Sequence, residues 1–111
     1  MTFEQFDVVV VPFPFTDRAT TKRRPALVLS HGSTFNRKVG QAVLAMITSA
    51  KNSSWPLDTE LTDLDKAGLP SPSIVRMKLF TLDEQLIIRQ AGTLSNSDQK
   101  NVEQALVSLL A

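Results

Sequence analysis

The sequence predicts a mainly β protein, a small and strongly bent antiparallel sheet or barrel closed by one C-terminal helix. Short β-branched and apolar runs recur along most of the chain, each cut off by proline, glycine or serine. The end of the chain changes period, with Val102, Ala105, Leu106, Leu109 and Leu110 spaced as one face of a helix. At 111 residues and 42% hydrophobic, residues 1–111 have the size of one ordinary domain with one core.

The first strand is "DVVVV", Asp7 to Val11, ended by "PFPFTD", whose prolines do not fit a central ladder. A long connection from Pro12 to Arg24 follows, and its length favours a functional segment over a simple turn. "PALVLS" resumes strand character, and "QAVLAMITSA", Gln41 to Ala50, is apolar on both faces and reads as a central strand. "LDTELT" alternates Leu57, Thr59 and Leu61 against polar residues, and "DLDKAG" reads as one helical turn stopped by Gly68. "SIVRMKLFTL" and "LIIRQAGTL" then read as an antiparallel pair joined tightly through "DEQ". Ser95 or Ser97, with Asp98, supplies an N-cap for the closing helix. Barrel closure would remove most of the open edges that invite aggregation in so short a β-rich chain.

Composition narrows the chemistry. No cysteine is present, which excludes disulfides and thiolate catalysis, and the single His31 cannot alone build a multi-histidine metal site. No basic leader precedes a long apolar stretch and no apolar run approaches a membrane span, so a cytoplasmic protein with no membrane association is expected. The net charge of +1 hides an asymmetry: residues 16–40 hold Arg18, Lys22, Arg23, Arg24, Arg37 and Lys38 against Asp17 alone. A polyanion-facing patch and a solvated loop both fit that run.

Arg24 precedes Pro25, which biases it to an extended conformation at the mouth of a strand. A planar, permanently charged fork there suits a phosphate; a salt bridge to Asp7 or another carboxylate is the structural alternative. Thr48 and Ser49 end an apolar strand, where hydroxyls can meet phosphate oxygens, although threonine and serine are also ordinary at a strand end and a turn. Arg76 shares one face of its strand with Ile74 and Lys78, and both cations carry the same ambiguity. His31 has the titration range of a general base and the setting of a loop residue. Phe13, Phe15 and Trp55 are candidates for base stacking or for plain loop anchoring.

Taken in order, "FDVVVVPFPFTD", "KRRPALVLS", "FNRKVGQAVLAMITS" and "GLPSPSIVRMKLFTLD" resemble the MazF/PemK family of toxin endoribonucleases over nearly the whole chain. The resemblance implies an SH3-like barrel of the MazF/PemK/CcdB plasmid-maintenance-toxin type, dimeric, with a C-terminal helix. It implies metal- and cofactor-independent, sequence-specific cleavage of single-stranded RNA, mRNA included, which inhibits translation and growth. A cognate antitoxin, whose disordered tail wraps the toxin, is the implied protein partner.

By the same resemblance Arg24 supports charge on the scissile phosphate, Thr48 holds that phosphate with Ser49 beside it, and Arg76 is a second arginine of the PemK branch. Lys22, Arg23, Arg18 and Lys51 would meet the RNA backbone, with Phe13 and Phe15 near its bases. The chain departs from the pattern at Lys78, where that branch has an aspartate able to act as base. A protonated lysine cannot accept the 2′-hydroxyl proton, so either its surroundings hold it neutral or another group, Asp17 being the nearest carboxylate, does the work. The glycine usual before the first-strand acid is also replaced, by Phe6. A non-catalytic toxin of the gyrase-poisoning kind and a degenerate RNA-binding domain are the rival readings.

Overall fold

The computed structural model describes residues 2–13 and 22–111. Six antiparallel strands form one curled sheet, a half-barrel, in the order β4-β5-β3-β2-β1-β6. They are β1 (Asp7–Phe13), β2 (Lys22–Val28), β3 (Gln41–Ser49), β4 (Thr59–Glu60), β5 (Ser73–Asp83) and β6 (Arg89–Thr93). The helices are α1 (Arg37–Val39), α2 (Leu64–Ala67) and α3 (Asn96–Leu110).

The sheet buries both of its faces, which is why β1 and β3 read as nearly continuous apolar runs. On one face Val8, Leu27, Ile47, Val75 and Met77 pack with Val102 and Ala105 of α3. On the other, Val9, Val11, Ala26, Val28, Ala42, Leu44 and Leu82 gather with Phe3 and Ile87. Side chains alternate faces along a strand, so adjacent valines of one strand serve different cores.

Pro12, which argued for a break, lies inside β1, as Pro25 lies inside β2, and Pro14 lies outside the described residues. Pro12 pairs with Arg23 and Pro25 with Val10, so the connection between the first two strands is shorter at each end than the sequence implied. Each proline sits where one neighbour has ended: β6 accompanies β1 only as far as Val10, and β3 accompanies β2 only as far as Ala26. A missing N–H there interrupts no central ladder.

The segment after β5 does not pair back onto it. A 3-10 turn, Glu84–Leu86, replaces the expected hairpin, and β6 lies against β1. Glu84 is fastened on both sides, its carboxylate accepting from the Phe3 N–H at 2.9 Å and its own N–H donating to the Gly40 carbonyl at 3.0 Å. The chain therefore crosses to β1, where the Ile88 N–H reaches the Val10 carbonyl at 2.8 Å. β4 is also shorter than its alternation predicts, because Leu57 has φ +66° and turns the chain before Thr59.

α2 ends at Gly68, with φ +72°, where a Cβ would lie 2.1 Å from the Ala91 carbonyl oxygen. Only glycine tolerates both that backbone and that approach. Phe6 has φ +71° without being glycine. Its ring is buried in the α3-side core, and burial worth roughly 2–3 kcal/mol offsets left-handed strain of about 1–2 kcal/mol.

Ser95 caps α3 by accepting from the Asp98 N–H at 3.3 Å. Asp98 is wholly buried and accepts from the Thr62 and Asp63 N–H groups at 3.1 Å and from the Thr62 hydroxyl at 2.8 Å. It staples the helix to the loop after β4. The helix then outruns its core: Val107, Leu109 and Leu110 are exposed, although the periodicity placed both leucines on the buried face.

Asp98→Ala should strand those donors and cost about 3 kcal/mol, read as a lowered midpoint in urea unfolding. Asp7 gives a pH test. Burial raises its pKa, partly opposed by the hydrogen bond from the Glu4 N–H. A raised carboxyl pKa means that its contribution is fully present below the unfolded-state value and is lost as pH rises through the folded value. The stability advantage of wild type over Asp7→Asn should therefore shrink as unfolding is followed from acid toward neutral pH.

Candidate functional site

Sheet register decides which side chains meet. Phe13 of β1, Arg24 of β2, Met46 and Thr48 of β3 and Arg76, Lys78 and Phe80 of β5 line one cleft of about 330 Å³. They share the face of the Val9–Leu44 core, beyond its last buried residues. Val11 stands opposite Arg24, Ala26 opposite Met46 and Met46 opposite Arg76. Beyond Ala26 the β2–β3 pairing ends, and Arg24 and Thr48 meet only as two walls of that cleft.

A bulge adjusts the far wall. Ala45 pairs with Leu79 but Met46 with Arg76, so Met77 and Lys78 are extra residues on β5. An insertion of two keeps the alternation in phase: Met77 stays in the core with Val75, while Lys78 is exposed on the face of Arg76.

The two arginines of the cleft differ in their surroundings. Arg24 is exposed and, among the described residues, forms no ion pair or hydrogen bond. The bridge to Asp7 is not made, because Asp7 lies four residues back along β1 from the partner of Arg24, roughly 13 Å away at strand spacing. Asp7 instead accepts from the Glu4 N–H at 2.8 Å and from Gln90 at 3.1 Å.

Arg76 is nearly buried and paired with Asp58. Its Nε donates to Oδ1 at 3.2 Å and its Nη2 to Oδ2 at 3.0 Å, and Nη2 also donates to the Ser53 carbonyl at 2.6 Å. The hydrogen bond to Asp58 pushes the Arg76 pKa further up, so it carries full charge at any working pH. Trp55 stands beside both cations of β5, its ring centre 5.6 Å from the Arg76 Cζ and 5.1 Å from the Lys78 Nζ. Asn52, on the same loop, donates through Nδ2 to the Thr48 hydroxyl oxygen. That hydroxyl keeps its own proton to give elsewhere.

Of the residues singled out in the sequence, Phe13, Arg24, Thr48, Arg76 and Lys78 thus converge. Ser49 is exposed and outside the cleft, its hydroxyl accepting from the Lys51 N–H at 3.2 Å; Lys51 is likewise outside. Lys22 is exposed at the start of β2, opposite Phe13. Arg23 alternates to the other side of the sheet and lines a smaller cleft of about 250 Å³, whose walls also include Arg24 and Arg89. His31 follows the far end of β2, on the order of 20 Å from Arg24 by strand rise. Phe15, Asp17 and Arg18 lie outside the described residues. The sequence reading missed Asp58 and Asn52, which nothing in local pattern joins to Arg76 and Thr48. Among the described residues no three acidic or histidine side chains are grouped to hold a metal, and no helix is long and apolar enough to cross a membrane.

The curled antiparallel half-barrel with its C-terminal helix is a fold found among solved MazF toxin structures. Residues 4–110 match the family of PemK-like, MazF-like toxins of type II toxin-antitoxin systems, and the chain belongs to that family. Comparison with curated protein sequences finds no match. Among solved structures, the chain is similar to a MazE–MazF complex from Deinococcus radiodurans, with a TM-score of 0.79 at 24% identity, covering 99% of this chain and 97% of that one. An endoribonuclease from a mycobacterial species in complex with its cognate antitoxin gives 0.75 at 15% identity, covering 98% and 93%. A MazF toxin of Mycobacterium tuberculosis gives 0.72 at 20% identity, covering 92% and 93%.

The contrast between the arginines has a measurable consequence for folding. Arg24→Ala, at an exposed and unpaired position, should leave stability within about 0.5 kcal/mol of wild type. Arg76→Ala leaves the Asp58 carboxylate half-buried without its partner, and its thermal midpoint should fall clearly below that of Arg24→Ala.

Proposed function

We propose that this toxin is a metal-independent endoribonuclease that cleaves single-stranded RNA. The observation that supports it best is the convergence of Arg24, Thr48 and Arg76 on one face of the sheet at the mouth of one cleft. Two permanent cations and a hydroxyl donor match the needs of a phosphodiester whose phosphorus gains negative charge as it is attacked.

In this reading the ribose 2′-oxygen forms a bond to the adjacent phosphorus and the bond to the 5′-oxygen breaks, leaving a 2′,3′-cyclic phosphate and a 5′-hydroxyl. Arg24 and Arg76 stabilise the charged phosphorus and Thr48 donates to a non-bridging oxygen. Arg24, whose guanidinium is otherwise unengaged, donates a hydrogen bond to the departing 5′-oxygen, which takes its proton from solvent water.

Asp58 is a poor base, since both its oxygens are occupied, and exposed Lys78 carries a cation into the cleft. The proton of the 2′-hydroxyl is therefore assigned to Asp17. Lys22, Arg23 and Arg18 add salt-sensitive affinity for flanking phosphates, as does Lys51, and Phe13 and Phe15 meet bases. Ser49 supports the strand end that carries Thr48. The antitoxin complexes among the structural neighbours support a cognate antitoxin as protein partner. The exposed end of α3, with Val107, Leu109 and Leu110, supports a homodimer.

The test is incubation of the purified protein with mixed-sequence single-stranded RNA in EDTA, reading cut sites and end chemistry. Site-limited cleavage with cyclic phosphate ends is expected. Arg24→Ala should lower the rate by about a hundredfold or more, with Thr48→Ala less severe. RNA left intact by wild type would overturn the reading and favour a toxin that acts by binding a protein.

A further inference from the structure

Among the described residues, the Asp58 carboxylate beside the cleft works on an arginine rather than on substrate. Asp58 grips the guanidinium of Arg76 with both oxygens, at 3.2 and 3.0 Å, and the Ser53 carbonyl takes another Nη2 proton at 2.6 Å. Three of the five guanidinium donors are thereby spent. Among the described residues nothing accepts from Nη1, whose two protons remain on a side chain that lines the cleft.

The loop that supplies this grip is itself closed. The Trp55 N–H donates to Asp58 Oδ2 at 3.0 Å and the Asp58 N–H to the Trp55 carbonyl at 3.2 Å. The Trp55 ring flanks Arg76 and Lys78, and Asn52 holds the Thr48 hydroxyl. One short segment, 52–58, therefore touches three of the polar groups of the cleft.

Resting on the ribonuclease reading above, we propose that Asp58 is a positioning residue, which fixes Arg76 side-on so that its Nη1 edge faces the scissile phosphate. Such a device removes the freedom of a long side chain before substrate arrives. It also explains why this site holds a paired arginine beside an unpaired one: Arg76 is preset, while Arg24 is free to follow the moving phosphate.

The chain carries its own reporter. Trp55 is the single tryptophan and there is no tyrosine, so intrinsic emission comes from the clamp itself. The experiment measures kcat and KM on a short single-stranded RNA for wild type, Asp58→Ala, Arg76→Ala and the double variant, with Trp55 emission recorded for each. Asp58→Asn, which keeps the shape and one acceptor, is carried alongside in case the alanine variant fails to fold.

If Asp58 acts through Arg76, Asp58→Ala lowers kcat by roughly tenfold or more, and the double variant is no slower than Arg76→Ala alone. Trp55 emission changes in Asp58→Ala but not in Arg24→Ala, and Asp58→Asn is intermediate in both readouts. Losses that multiply in the double variant, or unchanged Trp55 emission in folded Asp58→Ala, would overturn the proposal. If wild type does not cut RNA at all, the ribonuclease reading fails and the positioning role with it, while a changed emission still establishes the clamp on Arg76 as a structural one.

Discussion

The register of β2 against β3 and of β3 against β5 is the constraint on which the rest depends. Strands expose alternate residues to alternate faces, so a slip of one residue would carry Arg24 or Thr48 to the opposite side of the sheet. The register is fixed because both faces are buried. Val9, Ala26 and Leu44 must enter one core while Val8, Leu27 and Ile47 enter the other, and no shifted pairing satisfies both. The two-residue bulge at Met77 and Lys78 obeys the same logic, since an insertion of one would have driven Met77 into solvent and Lys78 into the core. Packing thus sets the strands that carry the cleft, and segment 52–58 then holds Thr48 and Arg76.

How much of this was legible follows from the range of each signal. The cap of α3 and the stop at Gly68 are local chemistry and stand where the sequence put them. Arg24 before Pro25 and Thr48 at a strand end were visible as single features, and resemblance joined them. The proline of β1 misled, because proline forbids a strand only where both neighbours persist, and the end of β6 is not written locally. The partner of β6 was missed for the same reason: the grip of Glu84 on Phe3 spans most of the chain. Asp58 was invisible beside Arg76, since eighteen residues separate them and the pair arises only when β4 docks on β5. The left-handed Phe6 is another case, where a residue of the wrong type for its backbone is held by what its ring buries.

The polar groups divide by what holds them. Asp98 and Glu84 bind backbone N–H groups and tie segments together, so their charges are used within the fold. The Arg37–Glu4 pair is exposed on both sides at 3.5 Å and adds little. Arg24 and Lys78 are left without carboxylate partners among the described residues, on a protein whose net charge is only +1. Crowding unpaired cations brings no gain to the folded state, since their mutual repulsion opposes it. Their retention at one cleft is understandable when an anion completes the charge balance.

Lys78 sharpens that point. In place of an acid, it adds a third cation to the rim, and Trp55 rather than a carboxylate stands beside it. An aromatic face stabilises a cation without neutralising it, so the field of the cleft stays positive. A base on β5 would have sat between two arginines with its own charge quenched by them and its basicity lowered. On the ribonuclease reading proposed above, a proton acceptor on a different segment would separate the two demands: β2 and β5 would present positive charge to the phosphate, and a carboxylate elsewhere would keep the basicity that removal of a hydroxyl proton requires. On that same proposed reading, the departure at Lys78 would redistribute roles within the site rather than remove one.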